Sequence, residues 1–122
     1  MFKLLFLVLF LRFPTNFIES ADDYGFAANQ AYIEAIKAFR QKQYSDSAKL
    51  FKEAARHGHP EAYYFLGRMV EVGYGYKKNQ KRAYYLYKKG LENGSKRARL
   101  RIKQIHKARK SKANPNSFSK RI

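Results

Sequence analysis

From residue 27 onward, apolar positions recur at spacings of three and four, the period of a helix that buries one face. Ala28, Ala31, Tyr32, Ala35, Ile36 and Phe39 form a continuous stripe that predicts a first helix over 27–41. Lys42 to Tyr44 is a short connection, and Ser45 is placed to cap a second helix that buries Ala48, Phe51, Ala54 and Ala55. Ala62, Phe65, Leu66, Met69 and Val70 predict a third helix opening at Glu61. Asn79 can cap a fourth helix, and Ser95 a fifth that carries Ala98, Ile102, Ile105 and Ala108. The expected fold class is all-α.

Glycine and proline punctuate this pattern. Gly58 ends the second helix, and Pro60 stands at the first position of the third, where its missing N–H costs nothing. Gly73-Tyr74-Gly75 ends the third helix and offers two positions free to take positive φ. Gly67 lies on a buried helix face, where glycine costs about 1 kcal/mol relative to alanine and so needs a packing reason. An internal repeat is also visible. A shift of 36 residues carries Leu50-Phe51-Lys52 onto Leu86-Tyr87-Lys88, Ala55 onto Leu91, Gly58 onto Gly94 and Ala62 onto Ala98. A two-helix period in the thirties predicts a stacked α/α solenoid, and the charged fifth helix reads as its cap.

Glu61 to Ala83, EAYYFLGRMVEVGYGYKKNQKRA, resembles the Sel-1-like repeat, a short relative of the tetratricopeptide repeat. The matching residues are Ala62, Leu66, Gly67, Gly73, Gly75, Ala83, Tyr87 and Gly94. Asn79 stands where aspartate is usual, and Gly90-Leu91 where two alanines are usual. The resemblance can extend over 27–110 and is strong in the middle third of that segment. It implies about two repeats plus a C-terminal capping helix, with the first helix of each pair lining a concave side. On that side it places Tyr64, Arg68 and Glu71 on the third helix. Gln30, Glu34 and Lys37 stand on the first helix, and Leu100, Gln104 and Lys107 on the fifth. Such a surface suits an extended or helical peptide.

Charge adds a second theme. The chain has 122 residues, one domain's worth, with a net charge of +17 and no cysteine. A disulfide framework, a thiol nucleophile and a cysteine-based zinc site are therefore excluded. Nearly all the excess charge lies in residues 77–122, which carry 17 Lys/Arg against one acidic residue. Lys77 and Lys78 follow Tyr74 and Tyr76, while Lys88 and Lys89 follow Tyr84, Tyr85 and Tyr87. The run from 96 to 112 holds Lys96, Arg97, Arg99, Arg101, Lys103, Lys107, Arg109, Lys110 and Lys112 without an acidic residue. Like charges one turn apart repel, so a negatively charged partner is expected. Interleaved lysines and tyrosines could take single-stranded nucleic acid, or an anionic lipid or acidic protein surface. Tyr87, at the buried aromatic position of the resembled repeat, belongs to the core instead.

The N-terminus stands apart. Lys3 precedes the apolar run Leu4–Leu11, which is of signal-peptide length and too short to span a bilayer of about 30 Å. Residues 1–21 are expected to be a secretory signal, or else an uncleaved anchor over 4–18. The repeat domain is expected over 22–111 and a flexible basic tail over 112–122, after which an exported, periplasmic or secreted location follows.

Catalytic motifs are absent: GxSxG, HExxH and a phosphate-binding glycine loop do not occur. Ser117-Phe118-Ser119-Lys120 fits SxxK, but no KTG accompanies it. His57, His59 and His106 do not form a metal set, and the first two read as solvated helix-end residues. Glu61 and Glu71 would lie about 15 Å apart on one helix, too far for joint acid–base work, and read as exposed. The sequence therefore predicts a non-enzymatic protein–protein interaction module without cofactor or metal, binding a peptide or protein partner of acidic character. The alternative is a binder of nucleic acid or an anionic surface through 77–122. No small-molecule substrate is expected.

Overall fold

The computed structural model describes residues 25–114 and Asn116. The leader or anchor expected at 1–21, the SxxK segment and most of the expected tail lie outside those residues. Among the described residues the chain is all-α, with five helices and no strand. Helix α1 covers 25–40, α2 Tyr44–Arg56, α3 Pro60–Val72, α4 Gln80–Glu92 and α5 Lys96–Ala113. Each helix packs on its successor and α5 also reaches back to α3, an α-solenoid arrangement.

The expected period appears in the backbone. Helices α2 and α4 are both 13 residues long and start 36 positions apart, as do α3 and α5. The turn bonds repeat at the same interval. The His59 N–H donates to the Ala54 carbonyl at 2.9 Å, and the Ser95 N–H to the Gly90 carbonyl at 2.8 Å. Each bond closes over a left-handed glycine, Gly58 at φ 86° and Gly94 at φ 92°, the conformation that ends a helix without a Cβ clash.

Two apolar clusters lie end to end. The first joins Ala31 and Ala35 of α1, Phe51 and Ala54 of α2, and Ala62, Leu66 and Met69 of α3. The second joins Val70 of α3, Ala83 and Tyr87 of α4, and Ala98 and Ile102 of α5. Phe51 and Tyr87, one period apart, are both fully buried. Burying a side chain of this kind contributes about 1.5–3 kcal/mol. The packing reason for Gly67 is Tyr87: a Cβ at position 67 would lie 2.5 Å from the tyrosine ring. Gly90, where the resembled repeat has alanine, is equally constrained. A Cβ there would lie 2.9 Å from that of Ala98 and 3.3 Å from that of Tyr63.

Asn79 and Ser95 cap α4 and α5 as expected, accepting from the N–H groups of Arg82 and Ala98. Ser45 does not cap α2. The link from α1 is tighter than expected, with the Gln43 N–H bonded back to Ala38 and Lys42 at φ 61°, so α2 has begun by Tyr44. Ser47 ties the two helices together instead, its buried hydroxyl donating to the Ala35 carbonyl at 2.9 Å. Helix α5 continues to Ala113, two residues into the expected tail, and Ala108 on its distal half is exposed.

Candidate partner-binding site

Glu71 is not on an open face. It ends α3 at 9% exposure and accepts from three side chains: Arg68 at 2.8 Å, the Tyr87 hydroxyl at 2.5 Å, and the Arg101 guanidinium. Burial raises its pKa, but the hydrogen bonds from Arg101, Tyr87 and Arg68 outweigh burial and hold it below the usual carboxylate range. The same contacts act on their donors. Burial, then the Glu71 carboxylate, pushes the Tyr87 phenol up, and the bond to Glu71 raises Arg101. Glu71 is therefore a buried joint between α3, α4 and α5, and its assignment to the concave binding face is corrected.

Glu61, at the other end of α3, is only partly exposed. Its carboxylate lies 3.9 Å from the Arg97 Nε, and one of its oxygens is buried without a hydrogen bond. His59 is likewise not a solvated helix-end residue. Its ring stacks on Tyr32 with centroids 4.0 Å apart, its Nδ1 is buried without a hydrogen-bond partner, and burial lowers its pKa. Both carboxylates of α3 thus meet an arginine of α5, Glu61 with Arg97 and Glu71 with Arg101. Sequence reasoning took the two arginines for part of a basic patch. Their partners sit 36 and 30 residues upstream, and no local spacing reports such a pairing.

Beside this joint a groove of about 800 Å³ opens between α1 and α3. Its apolar lining is Tyr32, Ile33, Ile36, Phe39 and Phe65, and its charged lining is Lys37, Arg40 and Arg97. Arg97 lies over the Phe65 ring, 5.6 Å from the centroid, while its neighbour Arg101 holds Glu71. Ile33 is 60% exposed, an apolar side chain with no covering element among the described residues. A smaller recess of about 230 Å³, lined by Tyr64, Arg68, Met69, Val72 and Tyr74, shares Phe39 and Phe65 with the groove and extends it toward the end of α3. The Gly-Tyr-Gly turn closes that end: Tyr74 stacks on Tyr44 at 4.5 Å, and a Cβ on Gly75 would lie 3.1 Å from the Tyr44 carbonyl oxygen.

Of the residues expected on the concave face, Lys37 lines the main groove, while Tyr64 and Arg68 line its extension. Gln104 accepts from Arg101, behind Glu71. Glu34 is exposed and accepts from Gln30, and Lys107 is exposed on α5; neither lines the groove. The sequence missed Ile33, Ile36, Phe39, Arg40 and Phe65. The signal available was the width of the α1 stripe, since Ile33 extends it beyond the face that the alanines bury.

The basic residues divide into two groups. Lys89 is half-buried beside Glu92 and lies 5.8 Å from the Tyr85 ring, while Arg97 and Arg101 face α3. Lys77, Lys78, Lys88, Lys96, Arg99 and Lys103 are exposed. Tyr87 is in the core, and Tyr84 lies under Arg109 with its hydroxyl 3.0 Å from His106. Among the described residues, no cluster of His, Cys, Asp and Glu is placed to hold a metal ion, and no helix is long and apolar enough to cross a membrane. Neither a protein-family model nor a solved structure matches the chain.

Proposed function

We propose that this α-solenoid is a non-catalytic interaction module that holds a peptide segment of a partner protein in the α1–α3 groove. The observation that carries this reading is the composition of the groove wall. An apolar floor, Ile33, Ile36, Phe39 and Phe65, is flanked by Lys37, Arg40 and Arg97, and among the described residues no carboxylate, serine or cysteine lines it. The complementary occupant carries aliphatic or aromatic side chains followed by Asp or Glu, an amphipathic helix or extended strand laid along α1. The Sel-1-like assignment belongs to the same proposal. It is supported by the 36-residue interval between helix starts and by left-handed Gly73, Gly75 and Gly94 at its motif positions. Export through a leader at 1–21 completes it, making the partner an envelope or extracellular protein.

A panel of labelled peptides with a common apolar core and acidic, neutral or basic flanks tests the groove by fluorescence polarisation. Acidic flanks are expected to improve affinity by about tenfold over neutral ones, and Ile33→Asp, at an exposed site, is expected to abolish that binding while leaving the melting curve in place. Indifference to flank charge, or binding that survives Ile33→Asp, overturns the reading. N-terminal sequencing of protein fractionated from a bacterial host tests export separately, with a mature start near Ser20–Asp22 expected.

A further inference from the structure

Helix α5 has two differently employed sides. Its inward side is satisfied by the chain itself: Ala98 and Ile102 fill the second core cluster, and Arg97 and Arg101 meet Glu61 and Glu71. Arg109 lies over Tyr84. The outward side carries Lys96, Arg99, Lys103, Lys107 and Lys110, all exposed, at the three-and-four spacing of a single face. This row runs about 21 Å along the helix. No acidic residue occurs anywhere on α5, so each of these cations has like charges one turn away. The two carboxylates that reach α5, Glu61 and Glu71, meet its inward arginines, Asp46 and Glu92 pair with lysines of their own helices, and the outward row is left for an external anion.

The chemistry of the row selects among anions. A stable protein interface needs an apolar centre, and a helix lying on lipid needs an apolar face to sink into the acyl boundary. The outward face offers neither. Leu100, 58% exposed, is its one large apolar side chain, while Ala98, Ile102 and the partly buried Ile105 pack into the second core cluster. Single-stranded nucleic acid calls for aromatic stacking platforms, and the lysine row presents none: Tyr84, the α4 ring that meets this part of α5, lies under Arg109 with its hydroxyl at His106. What remains is an array of phosphates presented at regular intervals on a rigid rod and bound through charge alone. We propose that the outward face of α5 docks the phosphate backbone of double-stranded nucleic acid, without reading sequence. This site is separate from the groove and depends neither on the peptide-binding reading nor on the proposed export.

The test is fluorescence anisotropy of the full chain with a labelled DNA duplex across about 50 to 200 mM salt. Five phosphate contacts predict a slope of log affinity against log salt of about −4 to −5. Replacing three of the five, Lys103→Gln with Lys107→Gln and Lys110→Gln, is expected to reduce the magnitude of that slope by about 2.5–3. A control with the same loss of charge elsewhere, Lys42→Gln with Lys49→Gln and Lys52→Gln, is expected to keep most of the slope. Circular dichroism melts of both variants establish that they remain folded. Equal losses in the two variants overturn the proposal, since binding then reflects overall charge. Tighter binding to a single strand of the same length, to phosphatidylserine vesicles or to polyglutamate, lost with the same three lysines, overturns it in favour of that ligand.

Discussion

Glu71 gathers Arg68, Tyr87 and Arg101 around one carboxylate, and the chemistry of that group sets how the fold responds to acid. Its pKa is lowered in the folded chain. The stability it contributes is therefore complete above the unfolded carboxylate range and lost as pH falls through the lower, folded value. His59 acts in the same direction in a higher window. Burial lowers its pKa from 6.5, so the unfolded chain takes up the proton first and stability declines as pH falls below that value. A urea titration repeated down the pH scale is expected to show both declines, with His59→Phe flattening the upper one. Glu71→Gln is expected to flatten the lower one and to cost about 2–3 kcal/mol at neutral pH, the loss of a buried partner moderated by the partial exposure of both arginines. Gly67→Ala is expected to destabilise by about 1–3 kcal/mol, because the added methyl meets the fully buried Tyr87 ring and overpacks the joint. The sequence marked Gly67 as a packing residue but had no means of naming Tyr87 as its reason. The roles of Glu61, Glu71 and His59 were hidden for a related cause: whether a polar side chain is buried depends on what arrives from α1 and α5.

At the scale of elements, the helices were legible because their stripes, glycines and caps agree. The period made α2 equivalent to α4 and α3 to α5, and hydrogen bonds at Gly58 and Gly94 repeat with it. What the pattern did not reach was the link from α1 to α2. Lys42 takes a left-handed φ of 61° there, a conformation that costs a residue with a Cβ about 1–2 kcal/mol. Lys42→Gly is therefore expected to raise the thermal midpoint modestly, by the difference between that strain and the greater entropy of an unfolded glycine. Gly90 makes the opposite case. The resembled repeat carries alanine at this place, yet here the approach of α5 to α3 and α4 leaves no room for it. Calorimetry of Gly90→Ala is expected to show a loss of about 1–3 kcal/mol, where helix propensity alone would forecast a gain.

For the whole molecule the governing quantity is a net charge of +17 held largely by the second half of the chain. Exposed cations on α4 and α5 repel one another through water, whereas the part-buried pair of Glu71 with Arg101 is less open to it. Salt screens the first effect far more than the second. The melting temperature is therefore expected to rise as sodium chloride increases from low to moderate concentration, and a fall on the same titration would show that the inter-helix ion pairs dominate. The candidate groove was less legible than the fold. Tyr64 and Arg68 were foreseen at its edge and Lys37 in its wall. The floor, however, is made by side chains of α1 and α3 together, and their meeting is a property of packing rather than of either helix.

The tie between α3 and α5 also limits how such a chain can change over generations. Repeat arrays lengthen and shorten by whole units when each unit is satisfied by its neighbours. Here both acidic side chains of the central helix meet counter-charges on α5, Arg97 and Arg101, with Arg68 of α3 also on Glu71. A deletion that removes α5 takes the ion pair from Glu61 and leaves Glu71 with Arg68 and Tyr87, and an inserted unit separates both carboxylates from Arg97 and Arg101. Duplication of the middle segment would therefore need compensating substitutions at both glutamates, so these ion pairs add to the core in deciding which helix can neighbour α3.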